Sequence, residues 1–231
     1  MDYKTLILEI DERKIATLTL NRPDVHNAMS LEMIRELRKV VGKLNADPEI
    51  RAVIMSGSGK SFCAGADLCW MQEIAGQKRE DRIAEATELS EMLGELDQLN
   101  KPLIGRINGL SFGGAVGLIA CCDIAVAVEG ALFSLTEVVL GLIPATISPF
   151  VLRRIGPSNA RRVMLNAHRF SAEEAVNLGL ISKAVSVDKL DEAIEKEINE
   201  LLRCSPEAVS ATKRLIAEVR GKEPADVRSA T

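Results

Sequence analysis

The chain has 231 residues, 47% of them hydrophobic and 27% charged, enough apolar material for one large buried core. Its 29 Lys and Arg against 33 Asp and Glu leave a net charge of −4, which excludes a broad electrostatic attraction for nucleic acid or an anionic membrane surface. Aromatic residues make up only 3%, so the core must rest on Leu, Ile, Val and Ala.

In chain order, the opening reads as two short strands. The second, residues 14–20 (KIATLTL), is rich in β-branched residues and ends at the turn Asn21-Arg22-Pro23. Ser30 is placed to cap a helix in which Leu31, Ile34, Leu37, Val41 and Leu44 recur at helical spacing. Asp47-Pro48 ends that helix, because the residue before proline disfavours the helical region. Residues 51–56 form a short apolar strand before Gly57 and Gly59. A charged helical stretch, residues 79–99, then leads to Lys101-Pro102, a strand at 103–108, a glycine turn, an apolar helix and a strand at 123–128. This alternation predicts an α/β fold with parallel strands.

From Ser148 onward the pattern reads as nearly all helix. Ser171 with Glu174 makes a capping box, Gly179 stops that helix, and Ser205 precedes a proline at a first helical position. Residues 208–219 carry Val209, Leu215 and Ile216 on one side of a last helix, and the chain runs through a polar stretch to Ala230-Thr231. A soft boundary near Ile147 divides an α/β part, residues 1–147, from a helical part, residues 148–231.

The five cysteines, Cys63, Cys69, Cys121, Cys122 and Cys204, form no CxxC pair, and His26 and His168 stand at no ligand spacing from them. They read as reduced thiols in a reducing, cytoplasmic compartment, with no metal site. No basic segment followed by a long apolar run opens the chain. The apolar stretch 109–128 is broken by Gly113, Gly114, Gly117 and Asp123, which argues against a membrane span.

Two segments carry the chemistry. Residues 61–68 (SFCAGADL) and 108–117 (NGLSFGGAVG) each follow a strand and open a helix. Small residues let a ligand approach the backbone, and helix N-termini present free N–H groups. Two such turns facing one another could bind an oxyanion from both sides. Glycine-rich strand-to-helix turns also occur where nothing binds, and neither segment matches the dinucleotide or phosphate-loop glycine spacing. Among the acids, Glu137 lies between Phe133, Leu135, Val138, Val139 and Leu140, surroundings that raise a carboxyl pKa and suit proton transfer. Asp67 reads as a helix-start residue, Asp123 as a turn residue and His168 as exposed. Arg153, Arg154, Arg161 and Arg162 read by default as a solvated helix face.

Four segments, NRPDVHNAMS, SFCAGADL, KPLIGRINGLSFGGAVGLIACCDIAVA and FSLTEVVLGLIP, resemble successive signatures of the crotonase (enoyl-CoA hydratase/isomerase) family in the same order. The resemblance implies a crotonase-like spiral of ββα units with a helical C-terminal region, assembled as a homotrimer or a dimer of trimers. It implies an acyl-CoA thioester as substrate and no separate cofactor, coenzyme A being part of the substrate. The Ala66 and Gly114 amides would form the oxyanion hole with Gly113 beside them. His26, Asn27, Ala28, Ala64, Gly65, Asp67 and Leu68 would line the coenzyme.

Such hydratases usually carry two glutamates. Glu137 matches the second, but Gly117 stands where the first would be. Hydration by a single glutamate, double-bond isomerisation and a non-catalytic acyl-CoA-binding role therefore remain open readings. Gly117 is expected to leave space beside the acyl chain. With Cys121-Cys122-Asp123 and residues 145–148 it resembles the methylglutaconyl-CoA hydratase-like branch, which implies a 3-methyl-branched, carboxylated enoyl-CoA from leucine degradation or acyclic terpene breakdown.

Overall fold

The structure, a computed structural model, describes residues 3–222; the polar end at 223–231 lies outside the described residues. Strands β1 (Leu6–Ile10) and β2 (Ile15–Leu20) form an antiparallel hairpin, with Lys14 at φ 65° closing the turn. Helix α1 (Leu31–Ala46) begins where the Ser30 hydroxyl accepts the Met33 N–H at 3.2 Å, and Asp47 ends it in an extended conformation. Its inner stripe of Met33, Ile34, Leu37, Val40, Val41 and Leu44 is buried. Glu36 on the same helix is also buried and accepts the N–H groups of Lys4 and Thr5 at 2.9 Å each, which pins the start of the chain to α1.

A unit then repeats. A strand of a large sheet is followed by a short strand of a small sheet and by helix. The first pass is β3 (Ala52–Gly57), β4 (Ser61–Cys63), α2 (Leu68–Ala75) and α3 (Arg79–Asp97). The second is β5 (Leu103–Ile107), β6 (Leu110–Phe112) and α4 (Gly114–Cys121). The third is β7 (Ile124–Val128), β8 (Leu132–Ser134), a 3₁₀ turn at Glu137–Leu140 and α5 (Ser148–Met164), which is broken at Gly156 by non-helical φ 73°, ψ 163°. The large sheet runs β1-β2-β3-β5-β7 and is parallel from β2 onward. The small sheet runs β4-β6-β8 in parallel. This is the crotonase fold, a spiral in which every turn places one strand-to-helix loop beside the next.

The nearly all-helical reading after Ser148 misses two strands. Strand β9 (Phe170–Ser171) joins β8 antiparallel, and β10 (Lys183–Val185) joins β7 parallel, so each sheet ends on a strand from this part of the chain. Around them lie α6 (Ala172–Asn177), α7 (Leu190–Leu202) and α8 (Pro206–Val219). Ser171 and Ser205 cap α6 and α8 through the N–H groups of Glu174 and Ala208. The core is aliphatic, as the composition requires, but Phe62, Phe133 and Phe170 are among its largest fully buried side chains, and Phe133 stacks on Phe170 at 5.5 Å across the β8–β9 pair. Cys63, Cys121 and Cys122 are buried free thiols; burial pushes Cys63 and Cys122 up to about 12. Among the described residues no helix is long and apolar enough to cross a membrane.

Candidate active site

The spiral brings the two glycine turns together. On the first, Met29 donates its N–H to Gly65 O at 2.7 Å and accepts the Asp67 N–H at 2.9 Å. In a parallel bridge of this kind the residue between the two bonded ones turns its own N–H away from the partner strand, and that residue is Ala66. On the second, the Gly113 N–H donates to Ser134 O at 2.8 Å, and Gly114 is the first residue of α4, so its N–H has no carbonyl ahead of it in the helix. The turns are in contact: a Cβ on Gly65, which has φ 93°, would lie 2.7 Å from Phe112 O and 3.4 Å from Gly114 N. A Cβ on Gly114 would lie 2.5 Å from the Met29 methyl carbon. Only glycine fits at Gly65, whereas a side chain at Gly114 would require the Met29 methyl to move. A cavity of about 380 Å³ lies between the turns, with Ala64, Gly65 and Ala66 on one wall and Gly113 and Gly114 on the other.

Glu137 reaches the same cavity from the 3₁₀ turn that follows β8. Its Oε1 lies 3.3 Å from where a Cβ on Gly113 would stand, so the absence of a side chain at Gly113 (φ 53°) lets the carboxyl rest against the second turn. Its Oε2 is buried and finds no hydrogen-bond partner among the described residues. An unpaired buried carboxylate oxygen is costly, typically about 1–3 kcal/mol or more, and this one is left free to accept a proton or a hydrogen bond. Burial raises the Glu137 carboxyl above its ordinary value. The apolar surroundings are only partly as expected: Phe133 and Leu135 are buried, whereas Val139 and Leu140 face solvent.

Asp67 is a helix cap, as its position suggests. Its carboxylate accepts the N–H groups of Cys69 and Trp70 and pairs with Arg22 at 2.7 Å. Burial alone would raise its pKa, but the Arg22 guanidinium and the two amides together hold it below the ordinary carboxylate range. It therefore stays charged and tied down at the cavity wall. Arg22, which also donates to Ala28 O at 2.6 Å, escapes the sequence reading because its partner is 45 residues away. His26 lines the cavity in a left-handed conformation, with Nδ1 2.9 Å from Ser61 Oγ. Ala28 and Leu68 are also on the wall, and Val25, Cys69, Met71, Thr136 and Leu140 join them. Thr136 directly precedes Glu137 and Met71 lies one helical turn beyond Asp67, and those spacings are the signals that could have found them.

Two residues assigned to the substrate from sequence stand elsewhere. Asn27 is fully buried outside the cavity wall. Its Oδ1 accepts the Arg22 N–H, and its Nδ2 donates to Ser58 O and Ser61 O at 2.9 Å each, so it clamps the first turn from behind. Gly117 does not open space: a Cβ there would lie 2.6 Å from Ile147 Cγ2, because Ile147 already fills the gap. The arginines are a solvated face only in part: Arg161 and Arg162 are exposed, whereas Arg153 and Arg154 are half-buried. Arg153 pairs with Asp97, Arg154 donates to the carbonyls of Cys122, Gly179 and Leu180, and Arg162 pairs with Glu174. Among the described residues, the cavity wall carries no Lys or Arg.

A cavity walled by two free backbone donors and one unpaired carboxyl can stabilise a developing oxyanion while moving a proton beside it. Comparisons with known proteins identify the family. Residues 11–229 match the family model for enoyl-CoA hydratase/isomerase. The chain is 34% identical to the enoyl-CoA hydratase ACTT6 of Alternaria alternata over 204 residues, covering 88% of this chain and 66% of that protein. It is 34% identical to the peroxisomal Δ(3,5)-Δ(2,4)-dienoyl-CoA isomerase of Arabidopsis thaliana over 234 residues, covering 94% and 83%. The crystal structure of an enoyl-CoA hydratase from Shewanella pealeana superposes with a TM-score of 0.90 at 40% identity, covering 94% of this chain and 81% of that one. Family model, sequence relatives and fold converge, and the chain belongs to the enoyl-CoA hydratase/isomerase family of enzymes.

Proposed function

We propose that this chain adds water across the double bond of a 2-enoyl-CoA, with Glu137 as the proton-transferring group and the Ala66 and Gly114 amides as the oxyanion hole. The Glu137 carboxyl carries the reading: its Oε1 rests against Gly113 and its buried Oε2 has no hydrogen-bond partner among the described residues. The thioester oxygen sits between the two N–H donors. Glu137 takes a proton from water as the water oxygen bonds to C3, and the electron pair of the double bond moves onto the thioester oxygen as an enolate. The same carboxyl then returns the proton to C2, so one water is added and the glutamate ends as it began. A raised carboxyl pKa favours holding the proton between the two steps. Removing one oxyanion donor costs about 3 kcal/mol in comparable sites, which sets the scale for each amide.

In this reading His26, Ala28, Ala64, Gly65 and Leu68 lie along the coenzyme A portion, which enters as part of the substrate; no separate cofactor takes part. We place the working enzyme in the cytoplasm as a homotrimer or dimer of trimers. One observation favours a second reaction. With Asp67 held by Arg22, Glu137 is the one unpaired carboxyl on the wall, and moving a double bond needs only one proton shuttle. Isomerisation of a 3-enoyl-CoA is therefore the alternative. An acyl-CoA-binding role without catalysis leaves the unpaired Glu137 oxygen without a purpose. Incubation with crotonyl-CoA and with a 3-enoyl-CoA in H₂¹⁸O, read by mass spectrometry, separates the reactions. Hydration puts label on C3 of the product; a shifted double bond without label establishes the isomerase instead.

A further inference from the structure

Water must be aimed as well as deprotonated before it adds to a double bond. It carries two O–H bonds. When only one is held, by the base, the attacking lone pair swings about that bond and the reacting geometry is lost. Gly117 supplies no second group, and Ile147 Cγ2 lies 2.6 Å from where its Cβ would stand. The polar side chains on the cavity wall are His26, Asp67, Cys69, Thr136 and Glu137. His26 Nδ1 lies 2.9 Å from Ser61 Oγ, Asp67 pairs with Arg22, and a thiol is a weak hydrogen-bonding group. Thr136 differs from these. Its Oγ1 lies 3.4 Å from where a Cβ on Gly113 would stand, and Glu137 Oε1 lies 3.3 Å from the same point. The two oxygens therefore converge on one face of the second glycine turn, next to Gly114. Ser134, two residues earlier, donates its hydroxyl to Ala167 O at 2.9 Å, whereas the Thr136 hydroxyl makes no hydrogen bond among the described residues. Its backbone is nonetheless fixed. Ser134 O accepts the Gly113 N–H at 2.8 Å, Thr136 O accepts the Val139 N–H at 3.1 Å, and a β-branched side chain is stiff at its first torsion.

Resting on the hydratase reading above, we propose that Thr136 is a second catalytic residue of this site, the one that aims the water. The water donates one O–H to Glu137 and the other to Thr136 Oγ1, which leaves a lone pair for C3. Glu137 takes the first proton as the C3–O bond forms. The second proton stays on that oxygen and becomes part of the product hydroxyl, so Thr136 neither gains nor loses one. Exchange of a C2 proton with solvent uses a base and the oxyanion hole but no attacking water, and Thr136 has no part in it.

The test compares wild type, Thr136→Val and Thr136→Ser in two assays. One is hydration of crotonyl-CoA in H₂¹⁸O, and the other is exchange of the C2 protons of butyryl-CoA in D₂O, followed by NMR. Valine keeps the branched shape and removes the hydroxyl; serine keeps the hydroxyl. Thr136→Val should lower kcat for hydration by about tenfold or more, the worth of one hydrogen bond in the transition state, while proton exchange stays within about threefold. Thr136→Ser should recover hydration to within about threefold of wild type. Hydration near wild type in Thr136→Val overturns the proposal. An equal loss in both assays does so too, because Thr136 would then only shape the turn that carries Glu137, and so does a serine variant as impaired as the valine one. Each of these leaves the hydratase reading standing. Wild type that exchanges C2 protons but incorporates no ¹⁸O overturns both together.

Discussion

Replacing Gly117 by Ala sets two effects of known sign against each other. Alanine is favoured over glycine in a helix interior by about 1 kcal/mol, so propensity alone predicts stabilisation. Packing opposes it. The new methyl would stand 2.6 Å from Ile147 Cγ2 and 2.9 Å from Ile147 Cβ. Carbon pairs rest at roughly 3.5–4.0 Å, so the overlap is about an ångström. Ile147 is buried at the start of α5 and has no solvent to retreat into. Overpacking of this kind costs about 1–3 kcal/mol, which leaves Gly117→Ala neutral to about 2 kcal/mol destabilising. Ile147→Ala alone opens a cavity and costs about 2–5 kcal/mol. Combined, the two changes relieve each other, and the double variant should be at least about 1 kcal/mol more stable than the sum of the singles. Urea unfolding midpoints at unchanged slope measure all four corners of the cycle. Stabilisation by Gly117→Ala, with strict additivity, would show that Ile147 does not fill the site of the missing acid.

Glu137→Gln should raise the melting temperature while abolishing proton transfer. Burial raises the Glu137 pKa, so the folded chain holds that proton more tightly than the unfolded one, and its contribution to stability is lost as pH rises from the ordinary value of 4.5 through the raised one. The variant should therefore melt higher than wild type at about pH 8, with the gap closing toward about pH 4; a constant gap would contradict the burial. Asn27→Ala should cost about 2–5 kcal/mol in urea unfolding, because it strands the Arg22 N–H and several buried carbonyls. The folded fraction should still bind acyl-CoA with near-normal affinity. A selective loss of affinity with unchanged stability would return Asn27 to the ligand.

Local chemistry was legible and long-range partnership was not. Ser30, Ser171 and Ser205 cap their helices as read, since a cap depends on residues three positions away. The two glycine turns were legible for the same reason, and the α/β alternation places them in adjacent turns of the spiral. Strands β9 and β10 span two and three residues, too short for any alternation to register; β8 and β7 make them strands. The family resemblance marks Gly117 as the place of an absent acid, but not that Ile147, thirty positions on, packs against it. Asp67 reads correctly as a cap, yet the ion pair that removes it from acid–base work depends on Arg22. Asn27 looks like a ligand contact because of its neighbours, and its burial behind the turn is visible only once Ser58, Ser61 and Phe62 surround it.

The most direct test of the account compares turnover with binding in Glu137→Gln. The substitution keeps the side chain's shape against Gly113 and removes only the titrating group. Turnover of the best enoyl-CoA should fall by at least ~100-fold, the usual scale for a general acid–base residue, while the Kd for an inert acyl-CoA stays within about threefold. Turnover near wild type would contradict the assignment and move proton transfer to another group on the cavity wall.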